Sequence, residues 1–172
     1  NAPGRLDSAD ISLKLLLSES ENEALEIAGE LEKGNRRRQV IQNEILKHAR
    51  SIVEEELKKS RFPVIMLADE GWHPGLVGIV AGRLAEEFCR PAILIAMDGD
   101  KGKGSARSIE QFHILNALRE CGKLLDNFGG HSQAAGLVIS RRNLAGFRRQ
   151  MEEIGEKKLG GKDLVPKLKV DM

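Results

Sequence analysis

A pair of glycines followed by a histidine, Gly129-Gly130-His131, has the residue types of an anion-binding turn. Glycine adopts backbone angles that other residues avoid, and it lets a ligand approach the main chain. Successive free N–H groups in such a turn form a concavity that suits an anion. His131 adds a donor, or a cation when it is protonated. An ordinary tight turn before a strand would use the same residues, and the spacing alone leaves both interpretations open.

A second glycine-containing stretch, residues 102–108, reads Gly-Lys-Gly-Ser-Ala-Arg-Ser. Its hydroxyls, its lysine and the bidentate guanidinium of Arg107 are typical phosphate donors. It is not a Walker loop, because the pattern Gly-x-x-x-x-Gly-Lys-Ser/Thr is absent, and it is not a dinucleotide fingerprint, because Arg107 stands where a third glycine would be needed. A hairpin with a solvated lysine is the alternative. The candidate phosphate ligands here are Gly104, Ser105, Arg107 and Ser108. We expect Arg107, Ser108 and the 129–131 turn to face one cleft and bind phosphate together.

Composition limits what else the chain can do. Its 172 residues carry a formal net charge of +1, and aromatic residues make up only 3%. No whole-protein field attracts nucleic acid, and few rings are available for stacking bases, so any anion site is local. No run approaches the ~20 apolar residues of a membrane span. Cys89 and Cys121 fit no metal or redox motif and are expected to be buried free thiols. We therefore expect a cytoplasmic protein, and the lack of an apolar span predicts no membrane partner. Because the sequence begins with Asn1 and not with an initiator methionine, we expect a fragment or a processed product.

Hydrophobic periodicity predicts an α/β fold with a mixed, mostly parallel sheet of about five strands, flanked by helices and preceded by a long linker helix. Apolar runs at 64–68 and 92–97 predict two parallel strands joined by a helix that starts at Pro74. Residues 103–107 are expected to return antiparallel, and 137–140 to form the last strand. The other predicted helices cover residues 6–17, 109–119, 124–128 and 143–154.

A long linker helix is predicted from Ser20 to about Leu57. Ser20 and Glu23 have the spacing of a capping box. The apolar stripe stops between Glu32 and Gln39, and a helix that is polar all round in its middle typically bridges domains. The basic run at 36–38 is either a solvated face or the border of a substrate groove.

The helix expected after Pro74 carries Gly75, Gly78 and Gly82 at helical spacing. This bare stripe predicts close packing of the helix on the sheet, and it is compatible with a helix N-terminus that approaches a phosphate. The acids near the strand ends all lie in turns, and the remaining donors are cations and hydroxyls. Such a set suits a phosphate better than Mg²⁺ or Mn²⁺, which prefer several carboxylate oxygens.

Four motifs occur in order, and together they resemble the RecJ family of single-strand-specific 5′→3′ DNA exonucleases. They are Asn1-Ala2-Pro3-Gly4-Arg5-Leu6, the segment from Gly71-Trp72-His73-Pro74-Gly75 to Arg83, Lys103 to Ser108, and Phe128 to Gly136. The resemblance covers nearly the whole chain. It implies a DHH-associated domain of the DHH phosphoesterase superfamily, together with the linker helix that leads to it.

The resemblance also implies roles for particular residues. Arg107 and Ser108, with Gly104 and Ser105 beside them, would grip substrate phosphate. Gly129, Gly130 and His131 would hold the phosphate or the terminal nucleotide. Arg5 would sit at the domain junction near the active site, and Trp72 and His73 lie in a family motif without an assigned contact. The family binds two divalent metals, Mn²⁺ or Mg²⁺, in a DHH domain. No Asp-His-His occurs in this chain, so we expect no metal, no cofactor and no catalytic residue in it.

The implied organisation is the end of a DHH domain (1–19), a connecting helix (20–60), a DHH-associated substrate-binding domain (61–158) and a linker into an oligonucleotide-binding domain (159–172). The implied function is to hold nucleic acid for a metal-dependent exonuclease of DNA repair and recombination. Single-stranded DNA is the expected partner, single-strand-binding or other repair proteins are candidate partners, and a monomer is expected. A smaller DHH-family phosphodiesterase (an oligoribonuclease or a nucleotide phosphatase) and a non-catalytic nucleic-acid-binding module are the alternatives.

Overall fold

The chain begins with three helices. A computed structural model describes residues 3–6, 8–60, 62–162 and 164–165. Helices α1 (Pro3–Leu6) and α2 (Asp10–Leu17) precede α3 (Glu21–Lys59), whose 39 residues make it about 58 Å long at ~1.5 Å per residue. The Ser20 side chain accepts the backbone N–H of Glu23, so the predicted start of the long helix is confirmed. Within the predicted linker, 159–172, residues 163 and 166–172 lie outside the described residues.

The middle of α3 is held by side chains of the helix itself. Arg36 pairs with Glu32 at 2.6 Å. Arg38 donates to Asn35 and, at 2.5 Å, to Gln42. Such i,i+3 and i,i+4 pairs satisfy polar groups along a helix surface and stabilise it modestly. The C-terminal half of α3 differs, because its apolar residues enter the core of the domain that follows.

In the described part of the chain, five strands form one sheet in the order β1-β2-β3-β5-β4. The strands are β1 (Ile65–Asp69), β2 (Ala92–Asp98), β3 (Lys101–Arg107), β4 (Asn127–Gly130) and β5 (Ala134–Ser140). The five-stranded mixed sheet is confirmed, but the expected predominance of parallel strands is wrong. Of the four strand pairs in this sheet, β1 and β2 pair in parallel and the other three pairs are antiparallel. Tight connections after β2 and between β4 and β5 permit only antiparallel pairing.

Helices cover the two faces of the sheet unequally. Helix α4 (Val77–Phe88) lies over β2 and β3 and packs against α3, whereas α5 (Ile114–Glu120) and α6 (Leu144–Leu159) cover the opposite face. Alternate residues of β2 enter the two cores: Ile93 and Ile95 face α5 and α6, and Leu94 faces α3 and α4. This two-sided burial explains the continuous apolar run of the strand.

Three predicted helix starts need correction. The helix expected over 6–17 begins at Asp10. Helix α4 begins at Val77 rather than Pro74, because His73 and the residues after it form a turn in which the His73 carbonyl accepts the N–H of Leu76. Helix α5 begins at Ile114 rather than at 109, since the Ser108 hydroxyl donates to the Phe112 carbonyl and holds the chain in a loop.

The helix predicted at 124–128 does not form. A 3₁₀ turn (Gly122–Leu124) is followed by strand β4, which pairs with β5 so that Gly129 opposes Gly136. This pairing joins residues that are distant from any local helical periodicity, so it overrides the weak local preference of a short segment.

Candidate nucleic-acid interface

The guanidinium of Arg107 lies against the glycine stripe of α4. Arg107 is the last residue of β3, and its Nη1 donates to the Ser105 hydroxyl at 3.0 Å and to the Ala106 carbonyl at 2.8 Å. A Cβ on Gly78 would stand 2.8 Å from Ser105 Oγ and 3.1 Å from Arg107 Nη2. The bare surface of the helix therefore leaves the space that these two side chains occupy.

A second arginine reaches the same place from α1. Arg5 Nη1 donates to the Gly75 carbonyl at 3.2 Å. Burial and then the nearby Arg5 charge lower the pKa of Arg107 below its usual value. Among the described residues, neither arginine has a carboxylate within ion-pair distance. Two like charges without an acid between them create a local positive potential that favours an anion.

The hairpin between β4 and β5 forms the neighbouring surface. Gly130 has φ +148°, and a Cβ there would stand 2.3 Å from the Ala134 carbonyl oxygen. The His131 N–H closes the turn on that carbonyl, and His131 Nδ1 accepts the N–H of Gln133 at 3.3 Å. The exposed imidazole thus uses Nδ1 within the turn. A Cβ on Gly129 would meet nothing within 4 Å, so this glycine borders open space.

The pairing of β3 with β5 brings the Arg107 side of α4 next to the β4–β5 hairpin. Arg107 is paired with Ala134 across β3 and β5, and the Ser108 N–H donates to the Gln133 carbonyl at 2.9 Å. The end of β3 and the hairpin turn are therefore side by side. The Ser108 hydroxyl does not extend into the same space as a free donor, because it donates to the Phe112 carbonyl at 2.5 Å. The structure gives Ser108 a role in shaping this end of the sheet.

An open surface of the sheet, here called the open floor, connects these groups, and sequence reasoning did not predict that its residues lie side by side. Ser105, Gly136 and Gly129 lie side by side on β3, β5 and β4 and share one face of the sheet. Gly136 is exposed, and a Cβ on it would meet only the Gly104 carbonyl at 3.9 Å. On the same face Lys103 stands two residues from Ser105 and is exposed. Both residues lie in stretches that the sequence singles out, but only the pairing register places Gly136 and Lys103 on the same face as Ser105.

Three predicted site residues lie elsewhere or serve the fold. Trp72 is 5% exposed in the core, and its indole N–H donates to Nδ1 of His48 on α3 at 3.3 Å. Its ring therefore anchors the long helix and is not available for stacking on a base. His73 Nδ1 accepts the Gly75 N–H in the turn before α4. Gly104 faces the core, where a Cβ would stand 2.8 Å from Leu137 Cγ.

The side chains of the described residues do not suit a metal ion. Among the residues that the structure describes, no group of three or more His, Cys, Asp or Glu could hold a metal ion. Two acids after β1 make other contacts: Glu70 pairs with Arg141, and Asp69 accepts the Gly71 N–H at 2.7 Å. Within the described part of the chain, no helix is both long enough and apolar enough to cross a membrane.

Residues 60–157 match the DHHA1 domain family. The chain belongs to the DHHA1 family. The matched residues contain the sheet, α4, α5 and most of α6, whereas the whole of α3 precedes them. The interface described above therefore joins the DHHA1 domain to Arg5 of α1, which lies outside the match.

Curated relatives of this DHHA1 protein are much longer than it is. The chain is 39% identical over 174 residues to the single-stranded-DNA-specific exonuclease RecJ of Bacillus subtilis, an alignment that covers 100% of this chain and 22% of that protein. It is 36% identical over 152 residues to RecJ of Thermus thermophilus, covering 88% of this chain and 22% of that protein. The chain thus spans about a fifth of the length of these relatives.

Solved structures show the same architecture. RecJ of Thermus thermophilus in complex with Mg²⁺ superposes with a TM-score of 0.79 at 34% identity, over 91% of this chain and 24% of that one. A structure of exonuclease RecJ bound to manganese gives 0.78 at 34% identity, over 91% and 38%. The C-Ala domain of alanyl-tRNA synthetase from Aquifex aeolicus shares the fold alone, with a TM-score of 0.50 at 17% identity over 59% of this chain and 97% of that one.

Proposed function

We propose that this chain is the phosphate-holding, substrate-binding part of a metal-dependent 5′→3′ exonuclease that acts on single-stranded DNA in repair and recombination. The observation that carries the proposal is the Arg5–Arg107 pair, which has no carboxylate partner among the described residues and lies beside the Gly129–His131 hairpin. A phosphate diester supplies the missing negative charge, and guanidinium groups bind its oxygens in a bidentate manner.

The open floor of Ser105, Gly136 and Gly129 gives this proposal a path for the strand. Small residues allow a sugar–phosphate backbone to lie close to the sheet, and Lys103 adds a cation on the same face. Since no base-stacking ring lies among these residues, we expect contacts chiefly to phosphate, with little dependence on base sequence. Binding should be weak for the isolated chain and sensitive to salt.

We also propose a separate role for each segment of the chain. Residues 61–158 hold the substrate, 20–60 connect this domain to a catalytic domain, and 1–19 lie at the junction. RecJ relatives are named as single-stranded-DNA-specific exonucleases, and two solved ones hold Mg²⁺ or manganese. Because the described side chains offer no metal cluster, we assign metal chemistry to a domain outside this chain.

The test is the affinity of the 172-residue chain for a fluorescent single-stranded oligonucleotide, measured by anisotropy over a salt series. If about three phosphates are contacted, log affinity should fall with log salt at a slope of roughly −2, from ~0.7 per phosphate. Arg107→Ala should weaken binding by about 1.5–3 kcal/mol, as expected for a charged hydrogen bond, and should flatten the slope.

Arg149→Ala is the matched control. It removes the same charge from the exposed surface of α6, on the opposite side of the sheet. The control should change affinity by less than about twofold, because an isolated exposed charge acts only through the screened field. Equal affinities and equal salt slopes for the two variants would refute the proposed phosphate site.

A further inference from the structure

A hydrogen bond between two side chains connects the C-terminal half of α3 to the turn that follows β1. The indole N–H of Trp72 donates to Nδ1 of His48 at 3.3 Å, and the two rings meet edge to face with centroids 5.9 Å apart. Because an indole nitrogen can only donate, Nδ1 must be the unprotonated nitrogen of a neutral imidazole. Trp72 is 5% exposed, whereas the His48 side chain is 52% exposed. The buried donor thus depends on an acceptor that protons from the solvent can reach.

We infer that His48 is a proton-sensitive contact, which holds α3 on the sheet while its imidazole is neutral and weakens this docking when the imidazole is protonated. A proton on Nδ1 turns the acceptor into a donor, so that two N–H groups would face each other. The indole N–H of Trp72 would then be buried without a partner, which costs free energy. The inference uses only the contacts between α3 and the turn after β1, and it does not depend on the proposed function.

The charges around His48 decide what a protonated ring would contact instead. Asp69 Oδ2 lies 3.9 Å from Nδ1, and the Asp69 side chain is 33% exposed. An ion pair with this exposure contributes little to stability, so it would not replace the buried hydrogen bond. Other charged or titratable groups on the surrounding elements include Arg5 of α1, Glu44 one turn earlier on α3, Glu70 and His73 of the turn, and Glu87 of α4. Among the described residues none of these forms an ion pair with His48, since Glu70 pairs with Arg141 and Glu87 with Arg50.

Loss of this hydrogen bond would act on the docking of α3 rather than on the whole fold. The half of α3 that carries His48 is buried through apolar residues on either side of it, among them Ile45, Ala49 and Val53. These residues pack in the same core as Trp72. The sheet itself keeps its strand pairing and the core on its other face. We therefore expect protonation to increase local opening of α3 from the sheet.

The contact can be observed directly, because Trp72 is the one tryptophan of the 172-residue chain. Its indole N–H gives a single indole cross-peak in a ¹H–¹⁵N spectrum, and we expect that peak to move between pH 8 and 5, the range in which histidines titrate. His48→Gln should remove the movement, since glutamine offers an acceptor that does not titrate. The controls His73→Gln, next to Trp72 in the chain, and His113→Gln, at the start of α5, should keep it. A peak that does not move in the parent chain, or that still moves in His48→Gln, would overturn the inference.

Amide hydrogen exchange measures the docking itself. At pH 5 the amides of 45–53 in α3 should be about fivefold less protected in the parent chain than in His48→Gln, the loss expected for one neutral hydrogen bond. At pH 8 the two chains should agree within about twofold, and the amides of 93–95 in β2 should exchange alike at both pH values because the opening is local. Trp72→Phe removes the donor, so in that background His48→Gln should cause no further change at pH 5. Equal or greater protection of α3 in the parent chain at pH 5 would show that the Asp69 ion pair compensates, and this would refute a proton-sensitive contact.

Discussion

Adjacent glycines in the β4–β5 hairpin should respond to substitution in opposite ways. At Gly130 the backbone has φ +148°, and an added Cβ would stand 2.3 Å from the Ala134 oxygen and 2.5 Å from Ala135 Cα. The strained conformation costs about 1–3 kcal/mol for a residue with a side chain. Overlap with backbone atoms adds about 1–3 kcal/mol. Gly130→Ala should therefore lower the free energy of unfolding by about 2–6 kcal/mol, a large share of the ~5–15 kcal/mol typical of a domain.

Gly129 has the opposite constraints. No atom lies within 4 Å of its missing Cβ, and it sits in an extended edge strand, where a β-branched residue is favoured. Gly129→Val should leave stability unchanged or raise it by up to about 1 kcal/mol. Its side chain would, however, stand on the open floor beside Gly136 and obstruct a strand that lies there. Binding should weaken although the fold is intact.

The assay pairs urea unfolding with oligonucleotide anisotropy for each variant. Gly130→Ala should shift the unfolding midpoint strongly, and Gly129→Val should shift affinity alone. If Gly129→Val binds as tightly as the parent chain, the strand does not cross this floor. If Gly130→Ala is as stable as the parent chain, the positive φ is not a constraint of the fold. A substitution at Gly130 thus tests the fold, whereas one at Gly129 tests the site.

Three further outcomes are expected. The chain alone should release no nucleotides from single-stranded DNA with manganese at high protein concentration, and degradation abolished by Arg107→Ala would place catalysis in this chain after all. Hydrogen exchange should show the amides of 32–39 in α3 opening far more readily than those of 65–67 in β1; equal protection would contradict a linker with an exposed centre. Burial raises the pKa of the Cys121 thiol to about 11, so in the native chain a thiol reagent should modify Cys89 well before Cys121. Because the unfolded thiol loses its proton first as pH rises, this group should lower stability between about pH 9 and 11, a loss that Cys121→Ala should remove.

Elements with strong local periodicity were predictable from the sequence. The apolar run of β2 fills two cores at once, which is why it predicts a strand covered on both faces. Ser20 caps α3 as its spacing with Glu23 predicts. Strand β4 was not predictable, because its residues gain their hydrogen bonds from β5 and carry no local signal of their own. The same holds for the site. Its cations and hairpin glycines could be named from the sequence, but that they lie close together depends on how β3, β5 and β4 pair.

Trp72 illustrates a second limit. A lone tryptophan beside a histidine in a glycine-containing motif fits a binding loop or a buried anchor equally well in sequence. Its contact with His48, with ring centroids 5.9 Å apart and planes at 79°, lies between α3 and the turn after β1. That contact depends on where a helix 24 residues earlier in the chain docks. Motif membership therefore identified an important residue but not its role.

The number of glycines in a stretch does not measure its capacity to bind an anion. In β3 the missing side chains of Gly102 and Gly104 point into the core, where a Cβ on Gly102 would stand 2.6 Å from Ile95 and Met97 atoms. Ser105 and Arg107 occupy the alternate positions and point to the other face, as strand geometry requires. The core thus demands glycine at one set of positions, and the anion site demands donors at the other. One strand can satisfy both requirements because successive side chains point to opposite faces of the sheet. The stretch that resembles a phosphate loop in sequence is therefore a strand, with one face constrained by core packing and the other by the positive charge of the anion site.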